Sequence, residues 1–317
     1  WFRNDLFCHE GERAAFKAKY SRTLPCSYAE WKDTDWKTWA SVGEFFRRNK
    51  GAKLGDGVAE NDFYGIAYQA GKVADFSIMQ INAFIWQHGG NIWDETNAPK
   101  GQAIGVVNSD ASVKGFQHYI DLLKWSPPVA KTGQMGIFAI QELFMQGKVA
   151  AIINWAGLAP PALDPKTSKY ADKTAFALTP GLRGKDGKIS RWDNLGGQPF
   201  VLTTWNSEEV VKEALEVVKW WMSEEVQLDF AKNGGESGLM SVMARPDYND
   251  IRPWNRAHVE LLESQKDVWH VPEYFEMLTQ SQEEFDKAIT GQKTAKQAMD
   301  AIAQFQQELL TEAGRIQ

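Results

Sequence analysis

The sequence has no long hydrophobic run and no excess of positive charge. Its longest apolar runs, such as Val149 to Ile153, fall far short of the ~20 residues that a membrane-spanning helix needs, so we expect no transmembrane segment. The 35 Lys and Arg residues are interspersed with 41 Asp and Glu residues, and the formal net charge is -6. Because no basic stripe is available to neutralise a phosphate backbone, we expect no nucleic-acid partner.

The sequence also lacks the usual signatures of catalysis and cofactor binding. No Gly-rich loop precedes a Lys and a Ser or Thr, and the five His residues are too scattered for a zinc-binding helix. The segment from Gly235 to Gly238 resembles a nucleophile elbow around Ser237, but Leu239 occupies the position of the final Gly. We therefore expect no enzyme, no metal and no cofactor. A glycosidase stays open as an alternative, because sequence spacing does not give the separation of carboxylates in space.

Only two cysteines are present. Cys8 and Cys26 lie in a segment rich in charged and turn-forming residues, which favours one local disulfide over a metal site, and two unpaired thiols are the alternative. A disulfide here would contribute about 3 kcal/mol and would indicate an oxidising compartment. The chain begins with Trp1 and not with Met, so we expect a processed or truncated form.

Apolar spacing predicts helices that alternate with short strands. Val113, Phe116, Ile120 and Leu123 recur at spacings of three and four, which predicts one buried helix face. The predicted strands are 64–68, 149–154, 175–178 and 200–204. This alternation indicates an α/β fold, and the length favours roughly two domains of ~150 residues.

Two further helices carry clear N-terminal signals. Ser207, followed by two glutamates, predicts an N-cap, and Thr294 with Gln297 predicts a capping box. The stripe predicted to face inward on the first of these helices is Val210, Ala214, Val217 and Trp221. We expect the corresponding face of each helix to be buried.

Aromatic residues are abundant, with 14 Trp in the chain. Sugars present faces of C–H groups with hydroxyls around the rim, so a sugar site favours indole rings together with amides and carboxylates. Most of the Trp residues are nevertheless expected to pack in the core, including Trp39, Trp220 and Trp221 on helical stripes. A ligand role has to be argued for each Trp from its position.

The segment from Phe144 to Leu158 places one Trp in such a position. A helix ends at a Gly, a buried strand follows, and this strand stops on Asn154 and Trp155. The carboxyl ends of strands in open α/β sheets face the crevice where ligands bind. Trp155 would offer a flat face there, and Asn154 would offer a donor and an acceptor. The alternative is a core Trp that covers the end of a strand.

In their order along the chain, several segments carry a family resemblance. Trp1 to Phe7 resembles a first interlobe crossing, although Arg3 stands where the family pattern has Tyr and the Lys of that pattern is missing. The further matching segments are 28–46, 64–66, the helix before Gly89 and Gly90, 139–155, 194–204, 207–230, 233–242 and 288–298. Together they resemble the extracellular (periplasmic) solute-binding proteins of sugar ABC transporters, family 1, in the class that includes maltose-binding protein.

This resemblance implies a type II periplasmic-binding-protein fold with two hinged lobes. The chain resembles that α/β fold without its first ~100 residues, which carry the opening βαβ units of the amino-terminal lobe. Residues 5–190 plus 250–317 would form the second, carboxyl-terminal lobe. Residues 1–4 and 191–249 would form a hinge crossing and the returning part of the first lobe.

The resemblance also implies a set of ligand-binding residues in the cleft between the lobes. Trp155 falls on the family's sugar-stacking Trp, next to Asn154. The other candidates implied by matching segments are Ser77, Gln80, Trp192, Gly197, Glu236, Ser237 and Tyr274. A turn or hinge residue without a ligand is the alternative for each of these.

Taken together, the residues and the resemblance imply a binding protein of an ABC importer. It would be a monomer, located in the periplasm or attached to the cell surface, that stacks a sugar or polyol on Trp155 and presents it to a permease with its ATPase. One alternative is a carbohydrate-active hydrolase with a Trp-lined cleft. Another is a truncated lobe that acts as an interaction module.

Overall fold

The computed structural model describes residues 1–94, 101–197 and 199–316. Its helices are α1 (Asn4–Phe7), α2 (Glu10–Tyr20), α3 (Tyr28–Lys32), α4 (Trp36–Phe45), α5 (Phe76–Gln87), α6 (Asp110–Leu123), α7 (Ile137–Met145), α8 (Glu208–Trp221), α9 (Glu224–Lys232), α10 (Met240–Met243), α11 (Tyr248–Ile251), α12 (Asn255–Leu261), α13 (Tyr274–Ile289) and α14 (Ala295–Glu312). Its strands are β1 (Phe2–Arg3), β2 (Lys53–Leu54), β3 (Gly57–Val58), β4 (Tyr64–Ala67), β5 (Val149–Ile152), β6 (Thr174–Ala175), β7 (Leu182–Arg183), β8 (Ile189–Ser190), β9 (Asp193–Asn194) and β10 (Gln265–Lys266).

A four-stranded sheet organises the larger part of the molecule. Its strand order is β4-β5-β1-β6, with β4 and β5 parallel and β1 antiparallel to both of its neighbours. The strands predicted at 64–68 and 149–154 are confirmed, and they pair so that Ala67 lies opposite Ile152. Because β4 and β5 run in the same direction, the segments that follow them emerge at the same edge of the sheet.

A large hydrophobic core surrounds this sheet and includes buried aromatic rings from α4, α5, α6 and α7. Helix α4 approaches β4 closely at Gly65, where an added Cβ would collide with the backbone of α4. The predicted helix face with Phe116 and Leu123 is confirmed in α6, where both residues are buried. The sheet and α4 therefore form one rigid unit, from which the loops after β4 and β5 project.

The N-terminal caps predicted from sequence are confirmed. The Ser207 hydroxyl accepts a hydrogen bond from the Val210 N–H at 3.3 Å, and Thr294 and Gln297 form a complete capping box at the start of α14. Capping removes the cost of unpaired backbone donors at each helix start.

The prediction that Val210, Ala214, Val217 and Trp221 form a buried face of α8 is wrong. Helix α8 has no buried residue, Val217 and Trp220 are each 60% exposed, and Trp221 is half-buried. The physical reason is that amphipathic spacing gives a helix an apolar face but does not supply the element that covers it. Across the described residues, nothing packs over this face closely enough to bury it.

The strand predicted at 200–204 is also absent. Phe200 and Val201 are 68% and 77% exposed, and the described part of this segment is irregular. Its composition is typical of a strand, but a strand forms only when a neighbouring strand satisfies its backbone groups. A small separate core lies nearby, made of Ala231, Val242, Met243 and Tyr248.

Cys8 and Cys26 are joined in a disulfide, which ties the end of α1 to the loop before α3. The loop is held further by Glu30, which accepts a 2.8 Å hydrogen bond from the Cys26 N–H and pairs with Arg13 at 2.7 Å. These hydrogen bonds lower the pKa of Glu30 to about 2, and the bond from Arg13 contributes most.

Among the described helices, none is both long and apolar enough to cross a membrane. The lobe boundaries given above stay a prediction.

Candidate ligand-binding site

A cavity of about 1160 Å³ lies at the sheet edge where β4 and β5 end. Its lining includes the loops after these two strands and Trp36 and Trp39 of α4. It also includes β9 and the Gly-rich residues after it, 233–238 and α12. The cavity therefore lies beside the carboxyl ends of parallel strands, where α/β proteins commonly bind small molecules.

Trp155 lines this cavity and is half-buried. It follows β5, whose four residues are all buried, so the end of the strand is fixed by the core. Gly196 lies against the six-membered ring of the indole, where an added Cβ would overlap the ring atoms. A residue larger than Gly at position 196 would displace the ring, so the main chain after β9 helps to set its orientation.

Asn154 also lines the cavity, but its side chain is engaged within the protein. Its Nδ2 donates to the carbonyl of Ile137 at 3.2 Å, and its Oδ1 accepts from the Trp155 N–H at 3.0 Å. These bonds hold the turn that carries Trp155. They use one donor and one acceptor of the amide, so less of its hydrogen-bonding capacity is left for a ligand.

Gln80, Gly197, Glu236 and Ser237 are four further predicted residues that line the cavity. The Ser237 hydroxyl donates to Gln227 Oε1 at 3.1 Å and accepts from the Leu239 N–H at 3.1 Å, so it stabilises the loop after α9. Ser237 is itself buried. Gly197 is exposed, and an added Cβ there would meet open space.

The described lining of the cavity contains two carboxyl groups, those of Asp193 and Glu236. Burial raises the pKa of Asp193 to about 6, against the opposing effects of a 2.6 Å hydrogen bond from the Thr179 hydroxyl and of the Arg191 charge. Burial also raises the pKa of Glu236, and His258, with Nδ1 3.8 Å from Glu236 Oε2, opposes this. Glu236 Oε1 is buried and has no hydrogen-bond partner among the described residues.

The other three predicted residues, Ser77, Trp192 and Tyr274, do not line the cavity. Ser77 is buried, and its hydroxyl donates to Gln282 Oε1, which also accepts from the Ser77 N–H at 3.2 Å. Trp192 lies beside Lys266, whose Nζ is 4.8 Å from the indole centroid. Tyr274 begins α13 and packs against Trp269. A role of these three residues in ligand binding stays a prediction.

Several lining residues were not predicted from the sequence, above all Gln69, Asp193 and His258. Gln69 comes two residues after β4, so the rule that selected Trp155 after β5 could also have selected it. Asp193 follows the predicted Trp192 directly. The local sequence does not show which of these two neighbouring side chains reaches the cavity, because that depends on how β9 packs against the rest of the chain. His258 carries no sequence signal.

The site combines aromatic surface with hydrogen-bonding groups and negative charge. Its aromatic lining includes Trp31, Trp36, Trp39, Phe84, Trp155, Phe176, Trp221, Phe230 and Trp254. Among the described residues no Lys or Arg side chain lines it, and no three His, Cys, Asp or Glu residues are grouped to hold a metal ion. This chemistry suits an uncharged ligand with apolar faces and hydroxyl groups.

Comparison with solved structures shows the same fold in sugar- and polyol-binding proteins. A maltose-bound MalE3 of T. maritima aligns with a TM-score of 0.70 at 20% identity, covering 94% of this chain and 69% of that protein. An ABC transporter solute-binding protein of Agrobacterium radiobacter K84 in complex with ribitol gives 0.73 at 20% identity, with coverages of 97% and 68%. A solute-binding protein of Agrobacterium vitis S4 with bound D-mannitol gives 0.63 at 21% identity, with coverages of 95% and 70%.

At these identities the likeness shows the fold, which is the α/β fold of type II periplasmic-binding proteins, as predicted. Comparison with curated protein sequences gave no match. The family model of the bacterial extracellular solute-binding proteins matches residues 14–252, which is well over half of the chain. The chain therefore belongs to the bacterial extracellular solute-binding protein family.

Proposed function

We propose that this protein is the substrate-binding component of an ABC importer and that it captures a sugar, an oligosaccharide or a related polyol. The observation that carries the proposal is the half-buried indole of Trp155, held at the end of β5 and lining a cavity of about 1160 Å³. Such a ring stacks on the C–H face of a sugar, and the polar lining bonds the hydroxyls. No bond is made or broken in this function.

The comparisons support this class of ligand. The three related structures described above hold maltose, ribitol and D-mannitol, which are all uncharged and rich in hydroxyl groups. The absence of Lys and Arg from the described cavity lining agrees with an uncharged ligand, since an anion would face the two carboxyl groups unscreened. Oligosaccharides and small polyols both fit a cavity of this volume.

Closure of the two lobes around the ligand would give the protein a shape that a permease recognises. The ATPase would then drive transport of the ligand into the cell. The protein would act as a monomer in the periplasm or at the cell surface. The family is extracellular, and the disulfide between Cys8 and Cys26 fits an oxidising compartment.

The test is a thermal-shift screen with maltose, ribitol and D-mannitol, followed by calorimetric titration of any sugar that raises Tm. A ligand at 100 times its Kd stabilises the protein by about 2.7 kcal/mol. We expect Trp155→Ala to weaken binding by ~30-fold, because loss of a central aromatic contact costs about 2 kcal/mol. Trp125→Ala is the matched control, since Trp125 is also half-buried and does not line the cavity. A detected sugar whose affinity is unchanged by Trp155→Ala would contradict the proposed binding mode.

One observation favours testing a hydrolase as a second function: Asp193 and Glu236 line the same cavity and both have raised pKa values. A glycosidase needs one carboxyl group that stays protonated and one that is ionised. We expect no turnover of maltose or of a panel of chromogenic glycosides. Release of product that disappears in either Asp193→Asn or Glu236→Gln would identify an enzyme instead.

A further inference from the structure

The side chain of Gln69 is buried in the lining of the cavity. The residue is 1% exposed, and neither its Oε1 nor its Nε2 has a hydrogen-bond partner among the described residues. Buried amides are almost always hydrogen-bonded, because an unpaired polar group loses its bonds to water and gains nothing in return. An amide with both ends free at a ligand cavity requires an explanation.

The main chain at Gln69 is fixed, so this amide cannot reach a protein partner by a small backbone shift. The hydroxyl of buried Tyr119 donates a 2.6 Å hydrogen bond to the Gln69 carbonyl. The next N–H, that of Ala70, donates to the carbonyl of Met135 at 2.7 Å. The backbone is thus bonded on both sides of the residue, whereas the side chain is free.

The end of the neighbouring strand carries an amide that is hydrogen-bonded within the protein. Ala67 of β4 lies opposite Ile152 of β5, and two residues further along each chain are Gln69 and Asn154. The Asn154 amide already bonds the Ile137 carbonyl and the Trp155 N–H. At this edge of the sheet, the Asn154 amide holds the main chain that carries Trp155, whereas the Gln69 amide keeps its full hydrogen-bonding capacity.

We infer that Gln69 is a specificity-determining residue that binds two adjacent hydroxyl groups of the ligand stacked on Trp155. Its Oε1 accepts from one hydroxyl and its Nε2 donates to the other, which is the pairing that a planar amide offers. The inference rests on the proposed function, and it adds a requirement for a neighbouring pair of hydroxyls. A ligand that lacks either hydroxyl leaves a buried amide atom unpaired and is rejected.

Further lining residues extend the same pattern, and Asn194 and Trp31 are two examples. Asn194 Oδ1 and Trp31 Nε1 are buried atoms of the lining without partners among the described residues, one an acceptor and the other a donor. A polyhydroxy ligand carries enough donors and acceptors to satisfy them together with Gln69, whereas an apolar ligand would leave all of them unpaired.

The experiment uses whichever of maltose, ribitol and D-mannitol binds most tightly, together with its monodeoxy analogues, in calorimetric titrations. Gln69→Met removes the amide with little change in length. Gln141→Met is the matched control, because the Gln141 amide is buried but donates to the Leu158 carbonyl at 2.8 Å and does not line the cavity. We expect Gln69→Met to raise Kd by about 10- to 100-fold and Gln141→Met to leave it unchanged.

The deoxy analogues separate a hydrogen bond to the ligand from an indirect effect. For the wild type, removal of either of two adjacent hydroxyls should weaken binding. For Gln69→Met, removal of those same hydroxyls should cost almost nothing further, which is the signature of a direct interaction in a double-mutant cycle. The ligand-free Gln69→Met protein should also have a Tm at least equal to that of the wild type, whereas Gln141→Met should lower Tm.

The outcomes distinguish this inference from the proposed function. If no sugar of the panel binds the wild type, both are overturned. If a sugar binds and Trp155→Ala weakens it, while Gln69→Met binds the parent sugar and its analogues as the wild type does, only the role of Gln69 is overturned. A fall in the Tm of ligand-free Gln69→Met, with unchanged discrimination among the analogues, would identify Gln69 as a structural residue.

Discussion

Replacing Asp193 by Asn tests the electrostatics of the cavity lining. The carboxyl accepts a 2.6 Å hydrogen bond from the Thr179 hydroxyl, and Asn can accept the same bond with its amide oxygen. The substitution therefore preserves this hydrogen bond, and it removes the titration together with the charge that attracts Arg191. Any stability difference that varies with pH can then be assigned to the ionisation of this group.

The direction follows from the raised pKa of Asp193, which is about 6 in the folded protein against an ordinary value of 3.8. Because the folded state prefers the protonated carboxyl, the stability from this preference is complete below pH 3.8 and is lost as the pH rises through about 6. Each pKa unit corresponds to about 1.36 kcal/mol, so the loss amounts to about 2 to 3 kcal/mol for this half-buried group. Asn does not titrate and has no such loss.

The assay is urea unfolding of the wild type and of Asp193→Asn at about pH 4 and about pH 7, since comparing the two proteins at each pH cancels the titration of all other groups. We expect the variant to gain about 2 to 3 kcal/mol relative to the wild type between the lower and the higher pH. Asp250→Asn, at an exposed position in α11, is the control and should show no such change. A stability difference between Asp193→Asn and the wild type that is the same at both pH values would refute the raised pKa of Asp193 in the folded protein.

Three further substitutions or treatments test the fold. Gly65→Ala should lower the free energy of unfolding in chemical denaturation by about 1–3 kcal/mol, because the added Cβ collides with the backbone of α4. An unchanged free energy of unfolding would show that α4 can shift away from β4. Reduction of the Cys8 to Cys26 disulfide, which joins residues 18 positions apart, should cost about 3 kcal/mol in the same assay, and equal stability with and without reductant would contradict this. Thr294→Ala should lower Tm through the loss of about 1 kcal/mol of capping. Ser223→Ala should lower it less, since the Ser223 side chain makes no cap hydrogen bond and its hydroxyl only donates to the Trp220 carbonyl at 2.7 Å; equal effects would argue against the capping box.

The sequence predicts this fold well where the signals are local. The caps at Ser207 and Thr294 and the strand that begins at Val149 each depend on a few neighbouring residues, and all are found in the structure. The segment 200–204 shows the limit of such signals. Its composition is typical of a strand, but pairing depends on a second segment that local sequence does not specify.

The candidate site could be predicted only in part, for the same reason. Trp155 could be identified because an apolar strand leads directly to it. The burial of Ser77 depends on Gln282, which is 205 positions away, so its local position after a loop gave no sign that its hydroxyl bonds within the protein. The position of Gln69 beside Asn154 follows from the register of β4 against β5, which the local sequence does not specify. Only the structure shows that the Asn154 amide is hydrogen-bonded and that the Gln69 amide has no partner among the described residues.

The uncovered face of α8 affects how this chain behaves as a sample. Trp205 is 84% exposed, and the rings of Phe200, Trp220 and Trp221 are linked by centroid distances of 6.3 Å. Joined apolar patches of this kind adhere to one another and to hydrophobic dyes, and sulfate strengthens the effect. The apparent molecular mass from light scattering should therefore rise with protein concentration even in the folded state. Association of the protein through this face would change the Trp fluorescence, and so would a sugar bound at Trp155. Titrations followed by Trp fluorescence therefore need dilute protein.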